Sequence, residues 1–293
     1  MTTSAAFIGL GVMGYPMAGY LAKADFAVTV YNRTQSKADD WVREFGGAAV
    51  ATPQEAAARA DFVFTCVGND EDLRSVTTGE NGAFHGLKAG AVFIDHTTAS
   101  ATIAEELCEE AKARNAGFLD APVSGGQAGA ENGVLTCMVG GDQESFDHAK
   151  PLMDCYTKML QLLGPAGYGQ LAKMVNQICI AGVVQGLAEA LHFAKATGQD
   201  GDAVLDVISK GAAQSWQMEN RGTTMLRNEF DFGFAVNWMR KDLAIILDHA
   251  RKTNANLPLT ALVDQFYAEV QNLGGSRWDT SSLIVPLERI RAG

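Results

Sequence analysis

Residues 8–17 read Ile8-Gly9-Leu10-Gly11-Val12-Met13-Gly14-Tyr15-Pro16-Met17, and this stretch decides the fold. The hydrophobic run Ala5-Ala6-Phe7-Ile8 ends at Gly9, with Gly11 and Gly14 following at the spacing G-x-G-x-x-G. Between a strand and a helix each glycine has its own task. Gly9 permits the tight turn, Gly11 lets a pyrophosphate approach the backbone, and Gly14 lets the helix pack on the strand. The helix N-terminus then offers N–H groups and partial positive charge to the phosphates. The triplet alone is a weak signal, and its place at the end of a first strand strengthens it. Gly9, Leu10, Gly11, Val12, Met13 and Gly14 are therefore expected to hold a dinucleotide.

Outward from this loop, strand-like and helix-like segments alternate. The strand-like runs are Ala5–Gly9, Ala27–Tyr31, Phe62–Val67, Ala91–Asp95, Gly117–Asp120 and Leu135–Val139, with a last one near Met159–Leu163. Several are short and almost wholly apolar, as in strands covered on both faces. Between them, Thr52-Pro53-Gln54-Glu55 is a capping box with proline at the first helical position. Thr98 and Ser100 precede a helix from about Ala101 to Arg114. This alternation predicts right-handed crossovers and a Rossmann-type, doubly wound parallel sheet over residues 1–164, with the direction of the last strands left open. At Gly164-Pro165-Ala166-Gly167 the pattern changes, and residues 165–293 are expected to form an all-helical domain. Its centre is a long helix from Gln170 to Ala196, apolar on nearly every face, in which Ala181, Gly182 and Gly186 admit a close neighbour. Further helices are expected at Asp202–Lys210, Ala235–Thr253, Leu259–Leu273 and Ser281–Ile290.

Composition narrows the class. A chain of 293 residues with 47% hydrophobic and 19% charged residues can build a sizeable core, and its length suggests two domains or one large one. A net charge of −11 argues against nucleic acid or an anionic membrane as partner. Five cysteines, Cys66, Cys108, Cys137, Cys155 and Cys179, lack C-x-x-C spacing and read as reduced thiols of a cytoplasmic protein. The N-terminus has no basic n-region and enters a core strand at once, so no signal peptide is expected. Gln185 and Glu189 interrupt the apolar region Ile178–Leu191, which argues against a membrane span. The five histidines are scattered, and no metal site is expected.

The second strand, ending at Tyr31, leads to the adenosine ribose in this fold. There an Asp or Glu would accept from the ribose hydroxyls of NAD. This chain carries Asn32-Arg33-Thr34 instead. Asn32 does not repel a phosphate, Arg33 can pair with one, and Thr34 can donate to it. NADP(H) is thus the preferred coenzyme, with NAD(H) possible. The bland alternative is a solvated turn in which Arg33 contacts nothing.

Four motifs, in order, make the chain similar to the β-hydroxyacid dehydrogenase family along essentially its whole length. They are Gly9-Leu10-Gly11-Val12-Met13-Gly14-Tyr15-Pro16-Met17-Ala18, then Asp120-Ala121-Pro122-Val123-Ser124-Gly125-Gly126, then Gly164, Gly167 and Gly169 followed by Lys173, and finally Lys241-Asp242. Members include 3-hydroxyisobutyrate dehydrogenase, tartronate semialdehyde reductase and glyoxylate/succinic semialdehyde reductase. The Val-Tyr-Asn-Arg-Thr segment resembles the NADP-using glyoxylate and succinic semialdehyde reductases. The resemblance implies Lys173 as the catalytic acid/base and the loop Ser124, Gly125, Gly126 as the anchor of a substrate carboxylate. It places a substrate-orienting amide at Asn176 or Gln177, since both follow Lys173 by about one helical turn. Thr98 would contact the nicotinamide half, Val67, Gly68 and Asn69 would line the same cleft, and Lys241 would reach the coenzyme. Asp242 would orient a lysine, or form a surface pair. Phe234 would line the substrate pocket, or simply pack in the core.

Physics supports Lys173 independently. A lysine in an apolar helix is costly if buried and charged. Burial beside a cationic nicotinamide would lower its pKa toward neutrality, as proton transfer to a carbonyl oxygen requires. The competing reading is a lysine snorkelling at the first helical turn. Trp216 and Trp238 are specificity candidates set against ordinary core or interface material. Arg240 would meet a second anionic group, or face solvent.

The function expected is hydride transfer between NADP(H) and a small aldehyde acid such as succinic semialdehyde or glyoxylate, or alternatively oxidation of a 3-hydroxy acid such as 3-hydroxyisobutyrate. Imine reduction is disfavoured by Lys173, and a decarboxylating phosphogluconate enzyme by length and by the few basic residues. A non-enzymatic, cofactor-binding oligomeric scaffold would have lost Lys173 or the Ser-Gly-Gly loop. The apolar long helix predicts at least a dimer, a homodimer or homotetramer.

Overall fold

The structure, a computed structural model, describes residues 3–292. It contains two compact units, Met1–Lys173 and Met174–Gly293.

The first unit is built on nine strands: β1 (Ser4–Ile8), β2 (Ala27–Tyr31), β3 (Ala48–Ala49), β4 (Phe62–Thr65), β5 (Val92–Asp95), β6 (Gly117–Asp120), β7 (Val123–Ser124), β8 (Leu135–Gly141) and β9 (Thr157–Gly164). Seven helices alternate with them: α1 (Gly14–Lys23), α2 (Gln35–Phe45), α3 (Pro53–Ala57), α4 (Asp70–Thr77), α5 (Ala101–Lys112), α6 (Gly126–Glu131) and α7 (Gln143–Met153). The sheet order is β3-β2-β1-β4-β5-β6-β8-β7, with β9 also on β8. From β3 to β6 every pairing is parallel, as the apolar strands predict. Beyond β6 the sheet becomes mixed: β8 runs antiparallel to β6 and β7, and β9 parallel to β8.

Both faces of the sheet are covered. Ala5 and Phe7 of β1 enter one core cluster with Leu21, Val30, Phe64 and Leu119, and Ala6 and Ile8 enter the other with Val63, Phe93 and Phe118. Alternate side chains thus serve opposite cores, which is why these strands read as continuous apolar runs. Local signals fix the helix starts. Thr52 Oγ1 accepts from the Glu55 N–H, with Pro53 at the first helical position. The Glu55 carboxylate reaches back to the Ala51 N–H, one residue beyond the usual capping-box partner. Ser100 Oγ caps α5 through the Ile103 N–H.

Helix α8 (Tyr168–Ala196) runs on from β9, and the units divide inside it. The second unit holds the rest of α8 with α9 (Gly201–Ile208), α10 (Trp216–Leu226), α11 (Val236–Thr253), α12 (Pro258–Asn272) and α13 (Ile284–Ala292). By length and hydropathy α8 is long and apolar enough to cross a membrane. Its buried residues Ala181, Val184, Leu187, Ala188 and Leu191 belong to the core, as in the central helix of a helical domain. The expectation of burial all round is corrected here: Val175, Cys179, Val183 and Phe193 lie exposed. Helix α10 and the two-residue strands β3 and β7 were not legible as elements in the sequence.

Candidate active site

The glycine-rich loop has the geometry that its sequence implies. Gly9 sits at φ +97°, and a Cβ there would lie 2.3 Å from the Cys66 carbonyl oxygen. At Gly14 a Cβ would lie 2.0 Å from the Gly9 carbonyl oxygen. At Gly11 it would meet nothing within 4 Å, which leaves room for a pyrophosphate to approach the backbone, so the loop fits a dinucleotide. Leu10 turns its side chain into the core, while its N–H donates to Asn32 Oδ1 at 2.9 Å. Val12 is exposed, and Met13 precedes α1. Asn32 also donates through Nδ2 to the Thr34 carbonyl, 3.0 Å. Its amide therefore ties the loop to the end of β2. Arg33 and Thr34 are exposed beside it, and Arg33 pairs with Asp72 at 3.2 Å rather than contacting nothing.

Strand ends β4 and β5 carry the next group. Val67, Gly68 and Asn69 are half-buried after β4. The Val67 N–H donates to Thr97 Oγ1 at 3.1 Å, and Asn69 Oδ1 caps α4 through the Asp72 N–H at 2.8 Å. Thr98, half-buried, lies between two residues whose backbones Gln170 grips: Nε2 donates to the Thr97 carbonyl at 2.7 Å, and Oε1 accepts from the Ala99 N–H at 3.0 Å.

Lys173 is buried, and its Nζ donates to the Val123 carbonyl at 2.9 Å. Val123 directly precedes Ser124, Gly125 and Gly126, so the ammonium is fastened to the strand that opens the Ser-Gly-Gly loop. Gly125 and Gly126 adopt φ of +136° and +63° and are exposed, and Ser124 is half-buried. Backbone N–H groups and a hydroxyl are thereby gathered next to a buried cation, a set suited to a carboxylate and a carbonyl oxygen on one small molecule.

Within the second unit the predicted residues form a connected chain. Asn176 Nδ2 donates to Gln177 Oε1 at 2.8 Å, and Gln177 Nε2 donates to Asp242 Oδ2 at 2.6 Å. Asp242 pairs through Oδ1 with Lys241 Nζ at 3.1 Å. Asp242 and Gln177 are buried, so the surface-pair alternative for Asp242 does not hold. Gln177 is committed at both ends of its amide, while Asn176 stands half-buried at the end of the chain. Phe234 is half-buried before α11. Trp216 and Trp238 are exposed rather than core, with the Arg221 guanidinium over Trp216 and Lys241 over Trp238. Arg240 neither faces solvent alone nor waits for a ligand: it makes two bonds to the Asp264 carboxylate and a third to Gln271, tying α11 to α12.

Several buried polar residues of the first unit have no role assigned from the sequence. Asp95 accepts from Thr65 Oγ1 and the Thr97 N–H, and burial pushes its carboxyl up to about 6. Asp120 accepts from the Gly167 and Gln170 N–H groups, each at 2.8 Å. Burial, opposed by those two bonds, carries it up to about 7. His96 donates through Nδ1 to the Ala121 carbonyl, and its Nε2 accepts from the Tyr156 hydroxyl. Burial lowers it to about 4, which keeps it neutral and in one tautomer. The available signal was their position: each is a polar residue ending or following an apolar strand.

Comparisons with known proteins agree with this arrangement. The profile for the NAD-binding domain of 6-phosphogluconate dehydrogenase matches residues 4–164. The profile described as NAD-binding of NADP-dependent 3-hydroxyisobutyrate dehydrogenase matches residues 167–287. An uncharacterised oxidoreductase of Shewanella frigidimarina is 63% identical, covering 98% of this chain and 99% of its own. The 2-hydroxy-3-oxopropionate reductase of Escherichia coli is 34% identical, covering 96% of both chains. A solved structure of Mycobacterium tuberculosis 3-hydroxyisobutyrate dehydrogenase with L-serine superposes with a TM-score of 0.88 at 32% identity, covering 98% of this chain and 99% of the other.

Proposed function

Because the chain belongs to the β-hydroxyacid dehydrogenase family, NAD(P)-dependent enzymes acting on a CH–OH group, we propose that it reduces a small aldehyde acid with NADPH. Succinic semialdehyde and glyoxylate are the substrates of choice. The observation that carries this reading is the bond from buried Lys173 to Val123, which sets a cation at the root of the Ser124-Gly125-Gly126 loop. The bound coenzyme supplies hydride to the carbonyl carbon. Lys173 gives a proton to the carbonyl oxygen as it becomes hydroxyl, and the reverse step returns that proton to the amine. The Ser-Gly-Gly loop holds the carboxylate, fixing the distance from anion to reacting carbon. Support for NADP comes from Asn32-Arg33-Thr34 at the end of β2, where the residue after the strand is an amide rather than a carboxylate and Arg33, paired with Asp72, can turn to a 2′-phosphate.

Oxidation of a 3-hydroxy acid is the second reading, favoured by the similarity to a mycobacterial enzyme described with L-serine, itself a 3-hydroxy acid. A panel of short aldehyde acids and 3-hydroxy acids, assayed with both nucleotides, separates the two. The expected result is the highest kcat/KM with an aldehyde acid and NADPH, and a shift toward NADH in Arg33→Asp. A preference for NADH in the unaltered protein overturns the coenzyme assignment, and turnover confined to 3-hydroxy acids overturns the substrate class.

A further inference from the structure

Helix α8 begins at Tyr168. Gly167, just before it, has no side chain to offer the orphan N–H groups of the first turn. The cap is imported from the sheet. The buried Asp120 carboxylate, at the end of β6, accepts from the Gly167 N–H through Oδ1 and from the Gln170 N–H through Oδ2. Two glycines make room for it: a Cβ at Gly140 would lie 2.5 Å from Oδ1, and one at Gly169 would lie 2.8 Å from Oδ2. Gln170, in turn, reaches past the helix to both sides of Thr98. Three residues after Gln170 comes Lys173, bonded to Val123, three residues after Asp120.

We propose that Asp120 and Gln170 are positioning residues for Lys173, clamping the first turn of α8 so that its ammonium, Thr98 and the Ser124 loop keep one geometry. A local Ser or Thr would cap a helix at lower cost than a buried carboxylate. What the imported cap adds is register: helix and strand are held at Asp120 and again at Lys173, so the amine cannot slide relative to the loop. The proposal rests on Lys173 as proton donor. A misplacement of about 1 Å in such a group can cost on the order of a hundredfold in rate.

The test uses the full chain carrying Asp120→Asn, Gln170→Met or, as control for the premise, Lys173→Met. Asparagine keeps the acceptor for one N–H and sets a donor against the other. For Asp120→Asn we expect a folded protein that binds NADPH within about twofold of the unaltered chain. Its kcat should be ten- to a hundredfold lower, with a larger solvent deuterium isotope effect as proton transfer becomes limiting. Unchanged kcat, or a lower kcat with an unchanged isotope effect, overturns the clamp and leaves a plain structural cap. Should Asp120→Asn fail to fold, Gln170→Met decides on the same readouts. If Lys173→Met turns over like the unaltered chain, the premise has failed. If Lys173→Met is inactive while both other variants behave normally, only the clamp has.

Discussion

At Lys173 the cost of burial and the demands of proton transfer point the same way. Burial and the bond to the Val123 carbonyl hold the amine of Lys173 in one place, as the proposed proton donor requires. Snorkelling, the competing explanation, requires the amine to reach solvent, and Lys173 is buried. Lys173→Met removes the donor while keeping most of the apolar stem. Expected is a loss in kcat of about 10²–10⁴-fold with NADPH affinity retained, measured by steady-state kinetics alongside a fluorescence titration of the nucleotide. Retention of most of the turnover would falsify the acid/base role.

The β1–loop–α1 element separates two uses of glycine that sequence spacing alone gives equal weight. Gly14→Ala forces a Cβ to within 2.0 Å of the Gly9 carbonyl oxygen, so the variant should be destabilised by about 1–3 kcal/mol or more in chemical denaturation. Gly11→Ala meets no protein atom, so it should melt normally and lose NADPH affinity by tenfold or more. Equal melting of the two variants would break the distinction. The same elements show what could be read in advance. Alternating apolar strands, the glycine triplet and the capped helix starts are local, and their positions were legible. The role of Asp120 was not, because its partner Gly167 lies 47 residues away and only the fold joins them. Helix α10 went unseen because Gln217, Glu219, Asn220 and Arg221 leave little apolar periodicity in it. Asp95, where β5 ends, brings a pH dependence with it. Its carboxyl stands at about 6 in the fold against about 3.9 in an unfolded chain. Below both values it contributes nothing. As pH rises from 4 to 6 the unfolded chain releases the proton and the folded one keeps it, so stability falls by up to about 3 kcal/mol. Asp95→Asn removes this slope: denaturation at pH 4.5 and pH 7 should show the variant gaining on the unaltered protein at the higher pH. A difference independent of pH would count against it.

Beyond single elements, the exposed side of α8 bears on how copies of the chain associate. Val175, Cys179 and Val183 recur every four residues and Phe193 continues the line, with Val175 and Phe193 more than 60% exposed. Leu259 of α12, against which a Cβ at Gly182 would pack at 3.2 Å, lies beside this line and is itself exposed, as is Leu262. Large contiguous apolar patches are uncommon on monomers and mark interaction surfaces. Opposing association is the net charge of −11 on each copy, a long-range repulsion that salt screens, whereas burial of apolar surface is insensitive to moderate salt. The expected outcome is therefore a dimer or larger assembly by light scattering at micromolar concentration, tightening as salt is raised from low ionic strength. Val175→Glu combined with Phe193→Glu should shift it toward monomer, because each substitution places a charge where apolar surface would be desolvated. A monomer mass for the unaltered chain across that salt range would leave the strip without a self-association role.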